Sequence, residues 1–185
     1  IETAFVLNLF FGFAAVYYLY RMAADFLGNP DHAMRVVLLF LVFPTASFLT
    51  AMYSEALFCA LGFAALYYAR KRRWLVACVL LGFLSAVRLP GLVFVAAAAV
   101  EYLDSKKWRL KNFDSSIWAF LLAPLGLVLY IIYCWARYHD PLAMIHAYQL
   151  GEWPYQKLDL NILRTLWHQI KLVGGTLLRH QSRWF

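Results

Sequence analysis

The sequence predicts an all-α fold, a polytopic transmembrane helical bundle, on three observations. Of its 185 residues, 64% are apolar and the mean hydropathy is +0.63, whereas a soluble domain is nearer half apolar. The apolar residues come in unbroken runs rather than in the alternation of half-buried strands. Ten of the seventeen Lys and Arg residues gather in three short segments between those runs, as cytoplasmic loops do. The formal charge of +7 therefore reads as loop bias. It makes the lipid bilayer the expected partner and gives no nucleic-acid surface. Seven Trp and twelve Tyr suit the membrane interface, where rings with one polar end are favoured.

Thr3 to Tyr20 carries no formal charge and only Asn8 as a strongly polar interruption. At 1.5 Å per residue it just reaches across about 30 Å of hydrocarbon. The short polar connection from Arg21 to Arg35 breaks at Gly28-Asn29-Pro30-Asp31, where Pro30 can open the next helix. Val36 to Met52 is the second run, with a kink or break expected at Phe43-Pro44. Ala56 to Ala69 follows and ends in four consecutive cations, Arg70-Lys71-Arg72-Arg73, the strongest cytoplasmic mark in the chain.

Trp74 to Val100 is apolar apart from Arg88-Leu89-Pro90-Gly91. A hairpin of two short helices turning at Pro90-Gly91 fits better than one long helix. Basic loops flank both ends of the run, and only two crossings return the chain to one side. Ile117 to Ala136 is the last span, bent at Pro124. Leu163, Leu166, Trp167, Ile170 and Val173 then share one stripe of an amphipathic helix lying on the bilayer.

The expected organisation is a transmembrane region, residues 1–136, and an outer-face loop, residues 137–185. The spans are 3–20, 36–52, 54–69, 74–87, 89–103 and 117–136. Cys59, Cys78 and Cys134 lie inside apolar runs, are odd in number and lack ligand spacing, so they read as small packing residues. The chain opens on Ile1 with no leader pattern and reads as part of a longer polytopic protein.

This topology places Tyr53-Ser54-Glu55, Arg88 and His139-Asp140 on one face, together with Glu2. Glu55 either faces a cleft or only caps the following helix, with Ser54 as its N-cap and the carboxylate near the positive helix end. Arg88 either binds a phosphate or snorkels to a headgroup. Asp140-Pro141 reads as a turn that opens the next helix. His139, Asp140 and His146 lack the spacing of a metal motif, so no metal site is assigned.

The run Phe43-Pro44-Thr45-Ala46-Ser47-Phe48, with Tyr53-Ser54-Glu55-Ala56-Leu57-Phe58, resembles the FPxSFF…YSESLF signature of PIG-V-type mannosyltransferases, of the GT-C class. Arg70-Lys71-Arg72-Arg73-Trp74 and Arg88-Leu89-Pro90-Gly91 are similar to that family's RRGRW…TRPxG pattern. Asp140-Pro141-Leu142-Ala143, Gln149 and Trp153 resemble its GDPLAF…Q…W loop. The likeness covers Thr3 to Trp153. In two places the chain departs from the pattern: His139 stands where the family has Gly, and Leu89 separates Arg88 from Pro90.

The resemblance implies a membrane glycosyltransferase with a GT-C-like bundle. It would move mannose, or a related hexose, from a polyprenyl- or dolichyl-phosphate donor to a lipid-linked or glycan acceptor at the outer or lumenal face. The general-base carboxylate is expected in an acidic loop upstream of Ile1, so no catalytic residue is assigned here. Tyr53, Ser54, Glu55, Arg88, His139 and Asp140 are the expected substrate-binding residues. The lipid-phosphate sugar donor is the one cofactor-like partner implied, and a divalent metal has no supporting ligands. Short loops and the lack of Asn-x-Ser/Thr favour a bacterial plasma membrane, with the endoplasmic reticulum membrane as the alternative. Another lipid-phosphate-dependent GT-C enzyme, or a transporter or membrane scaffold, are the competing readings. A transporter should show an internal repeat with paired broken helices, and only one broken segment is visible.

Overall fold

The computed structural model describes residues 2–51, 53–109, 113–143 and 146, and among them every regular element is helical. The chain divides into two units, Ile1–Tyr133 and Cys134–Phe185. The expected amphipathic helix at 163–173 lies outside the described residues.

Helix α1 spans Glu2–Leu27, about 39 Å at 1.5 Å per residue. It runs past Arg21, where a polar connection was expected. Nothing before Gly28 breaks it, and Arg21 donates to the hydroxyls of Tyr17 at 2.9 Å and Tyr67 at 2.8 Å. Gly28 at φ +64° makes the turn that most side chains resist. Asn29 then caps α2, Pro30–Val42, by accepting from the Asp31 N–H at 2.8 Å.

The second apolar run is not one helix. The ring of Pro44 pushes Phe43 into extended backbone, φ −62° and ψ 135°, and α2 stops at Val42. A 3-10 helix, Pro44–Leu49, follows. α3 covers Glu55–Arg70, α4 Trp74–Val87 and α5 Gly91–Ser105. The turn between α4 and α5 falls at Arg88 to Pro90. α5 ends at Ser105, two residues past the expected end of its span at 103.

Both basic turns close in the same way. Arg73 N–H reaches Tyr68 O and Arg72 N–H reaches Ala69 O, with Arg72 at φ 57°. Trp108 N–H to Leu103 O and Lys107 N–H to Asp104 O repeat the pattern, with Lys107 at φ 55°. These are Schellman ends in which a cation occupies the position glycine usually takes.

The last run is also divided. A 3-10 helix, Ser115–Leu122, precedes α6, Leu125–Tyr138, and Pro124 marks the change. Asp114 caps the 3-10 helix at the Ser116 N–H and binds Lys106 Nζ at 2.6 Å. Inside the first unit, Ser85 of α4 accepts from the Leu127 N–H at 3.2 Å. That donor belongs to the first turn of α6 and has no partner within the helix.

α1 packs on α2 and α3, α3 on α4 and α5, and α4 on α5 and the Ser115–Leu122 segment. The core is built on small residues, Ala65, Ala69, Ala77, Ala98 and Ala123, around Trp74, Leu81, Leu84 and Tyr102. Alanine at the contacts lets helix axes approach closely, the usual economy of helices packed in lipid. The outer surface is apolar instead. Phe10, Phe13, Leu39, Val42 and Trp118 are all well over half exposed, an arrangement suited to hydrocarbon and costly in water. Thr3–Leu27 and Ser115–Tyr138 are each long and apolar enough to cross a bilayer.

Candidate functional site

The break at Pro44 builds the site. It throws the chain off the axis of α2 and returns it to start α3 at Glu55. Ser47 Oγ donates to Pro44 O at 3.1 Å and Thr50 Oγ1 to Ser47 O at 2.9 Å, which keeps the short segment wound. The far end is anchored from α1. Buried Asn8 donates through Nδ2 to Leu49 O at 2.8 Å and to Ala51 O at 2.5 Å. The lone polar interruption of the first run therefore supplies donors to carbonyls left open where the 3-10 helix ends.

Between α2, this segment and α3 lies a cavity of about 410 Å³. Leu39, Phe40, Phe43, Phe48 and Leu49 give it apolar walls, Thr45 and Glu55 its polar points, and Cys59 stands one helical turn beyond Glu55. Tyr53 packs edge-on against Phe48, ring centroids 5.8 Å apart, and is itself 60% exposed.

Glu55 and Arg88 meet. Arg88 Nη1 lies 2.8 Å from Glu55 Oε1, with side chains 42% and 26% exposed. Arg88 is the residue at which α4 ends, and Glu55 is the first residue of α3, where the positive end of the helix favours a carboxylate. The other oxygen, Glu55 Oε2, is buried and has no hydrogen-bond partner among the described residues. Ser54 occupies the N-cap position, but its hydroxyl makes no capping bond. The expected Ser54 cap is thus not formed, and Glu55 carries the polar role at this helix start.

His139 and Asp140 belong to the second unit. His139 ends α6 at φ 54°, with its N–H bonded to Trp135 O at 2.9 Å. A left-handed residue in this position is where glycine costs least, which accounts physically for the Gly that this histidine replaces. Asp140 Oδ1 accepts from the Leu142 N–H at 2.9 Å, and Oδ2 lies 2.6 Å from His146 Nδ1. The bond from His146 first, then that from the Leu142 N–H, holds the Asp140 carboxyl below the usual carboxylate range. The described residues bring no three His, Cys, Asp or Glu side chains together as a metal-ligand group. Glu2 is described only in its backbone, and Gln149 and Trp153 lie outside the described residues.

The family model described as mannosyltransferase (PIG-V) matches residues 1–148. The chain belongs to the PIG-V mannosyltransferase family. The matched stretch contains the whole of the cavity, the Glu55–Arg88 pair and the Asp140 turn of this PIG-V chain. Family membership and the two long apolar helical segments, Thr3–Leu27 and Ser115–Tyr138, together make it a membrane protein of a glycosyltransferase family. No curated protein matches the PIG-V chain, and no solved structure does.

Sequence reasoning named Glu55 and Arg88 separately and missed that they pair. It also missed Thr45 and Cys59 as cavity residues and Asn8 as the anchor of the wall. The spacing from Glu55 to Cys59, four residues on one helix face, is the signal that points to Cys59. No local signal reveals the Asn8 contact, since 41 residues separate it from Leu49.

Proposed function

We propose that this chain forms part of a multi-pass GT-C-class enzyme that transfers mannose, or a related hexose, from a polyprenyl- or dolichyl-phosphate donor. The acceptor is a hydroxyl of a lipid-linked or glycan substrate at the outer or lumenal membrane face. A bacterial plasma membrane is the favoured location. Membership of the PIG-V family supports the reaction class, and the observation that carries the site is the Glu55–Arg88 pair beside an apolar cavity.

In this reaction the acceptor oxygen bonds to the anomeric carbon as the bond from that carbon to the lipid phosphate breaks. The electron pair leaves on the phosphate, the acceptor proton passes to a carboxylate, and the centre inverts. Arg88 is the phosphate-side cation. One of its nitrogens holds Glu55 and its planar fork offers further donors to a departing oxyanion. Tyr53, Ser54 and Glu55 face the sugar. His139 and Asp140, in the second unit, are proposed as further substrate-binding residues. The base that receives the acceptor proton is not assigned among the described residues.

The test uses membranes carrying the full-length parent protein and radiolabelled polyprenyl-phosphate-mannose. Wild type should transfer mannose, and Arg88→Ala and Glu55→Gln should lose transfer at matched insertion. Full transfer in both variants would reduce the pair to a snorkelling cation and a helix start. A wild type that instead takes another lipid-linked sugar would replace mannose in the reading.

A further inference from the structure

We propose that the cavity between α2, the Pro44–Leu49 segment and α3 is a subsite for a neutral, hydroxyl-bearing ligand whose hydroxyl donates to Glu55 Oε2. This rests on the glycosyltransferase reading and adds to it by separating the two ends of the ligand.

The argument starts from a carboxylate with unequal oxygens. Oε1 is occupied by Arg88 at 2.8 Å, while Oε2 is buried with no partner among the described residues. A buried acceptor without a donor is costly, more so when it carries charge. A carboxylate oxygen accepts only, so its occupant must bring an O–H or N–H. An anion at this point is excluded by repulsion.

The rest of the lining narrows the class. Phe40, Phe43 and Phe48 with Leu39 and Leu49 give an apolar body, and Thr45 adds one further hydroxyl. A strongly hydrated cation would lose its water against these walls with a single carboxylate in return. A hexose meets the cavity better, since its C–H faces suit aromatic rings and its hydroxyls supply donors. The volume of about 410 Å³ lies within the ordinary range of small-molecule sites.

The cavity and the cation thus sort one ligand by charge. Neutral hydroxyls go to Glu55 Oε2, and the anionic end goes to Arg88, whose side chain is 42% exposed and does not line the cavity. Glu55 holds both halves: one oxygen positions the guanidinium and the other receives the sugar.

Equilibrium binding to the purified full-length protein in nanodiscs tests this without requiring turnover. Two probes are used, radiolabelled octyl mannoside and radiolabelled octyl phosphate. Glu55→Gln should weaken octyl mannoside about tenfold or more, the loss of one charged hydrogen bond, while octyl phosphate binds as well as before or better. Arg88→Gln should lose octyl phosphate and keep octyl mannoside. Ala46 also lines the cavity, so Ala46→Leu, which adds bulk there and leaves both charges, should weaken octyl mannoside and spare octyl phosphate. Equal losses of both probes in Glu55→Gln, or octyl mannoside binding indifferent to Glu55→Gln and Ala46→Leu, would overturn the proposal. A folded, mannoside-binding protein that fails to transfer mannose would sink the reaction reading and leave the subsite standing.

Discussion

Arg88 Nη1 stands 2.8 Å from Glu55 Oε1, so the end of α4 is tied to the start of α3 by charge. The pair spans 33 positions of sequence. It closes the open end of a hairpin whose other end is the basic turn at Arg70 to Arg73. Removing either partner leaves the other half-buried without its ion pair, so their losses in turnover should be coupled even though the two side chains bind different ends of the ligand.

Arg88→Lys keeps the charge and loses the planar fork. Transfer by the full-length protein should fall about tenfold with Lys and about a hundredfold with Ala, a loss of the size seen when one donor to a developing oxyanion is removed. The double variant Glu55→Gln/Arg88→Ala should be no worse than Arg88→Ala alone, the non-additivity of a coupled pair. Initial-rate measurements on wild type, Arg88→Lys, Arg88→Ala, Glu55→Gln and the double variant decide it, and additive losses would show that the ion pair does not couple the two in turnover.

Asn8→Leu should destabilise the protein by about 2 kcal/mol, because two carbonyls, Leu49 O and Ala51 O, lose their donor. Thermal unfolding in detergent measures the loss. The cavity wall loosens as well, so octyl mannoside affinity should fall although Asn8 does not line the cavity.

Gly126→Val should destabilise by about 1–3 kcal/mol, the usual cost of overpacking. A Cβ on Gly126 would collide with the carbonyl oxygen of Gly82, and one on Gly82 would meet Leu122 O at 2.7 Å. Neither backbone atom can swing aside as a side chain does. Phe83→Leu, on the exposed side of α4, serves as the control and should change the midpoint little.

Acid should weaken the end of α5. Asp114 is held below the usual carboxylate range by the Lys106 hydrogen bond first, and also by the Tyr102 hydroxyl and the Ser116 N–H. A carboxyl with a depressed folded pKa contributes stability that is present above its unfolded pKa and lost as pH falls through the folded one. The loss therefore begins below about pH 4 and is complete once pH lies beneath the lowered value. Unfolding midpoints measured from pH 6 down to 2 should show this component in wild type and lack it in Asp114→Asn.

His139→Gly should stabilise by a few tenths to about 1 kcal/mol, since glycine takes φ 54° without steric cost. Transfer should stay within about twofold, because a substrate-binding role exerted through the backbone survives the change. A rise in stability with lost transfer would instead give the imidazole a contact with substrate.

The breakers were legible in the sequence and fell where the chemistry of Gly28, Pro44 and Pro90 puts them. What followed each breaker was not legible. Arg21 looked like the end of a span, yet α1 continues because two tyrosine hydroxyls satisfy the guanidinium. The bend at Pro124 was legible as well, but not that the Leu127 donor opened beyond it is met by Ser85, 42 positions away. In each case one partner is remote in sequence, Tyr67 for Arg21 and Ser85 for Leu127, and no local window contains it.

The sequence by itself determined the helical class, the apolar runs, the basic turns and the family, because each depends on residue type and spacing along one segment. It also named Glu55 and Arg88 as costly charges needing a reason. Only the tertiary structure decided that they answer each other, that one oxygen of Glu55 stays without a partner, and that Pro44 opens a cavity beside it. Those are distances between segments, set by how α1, α3 and α4 pack.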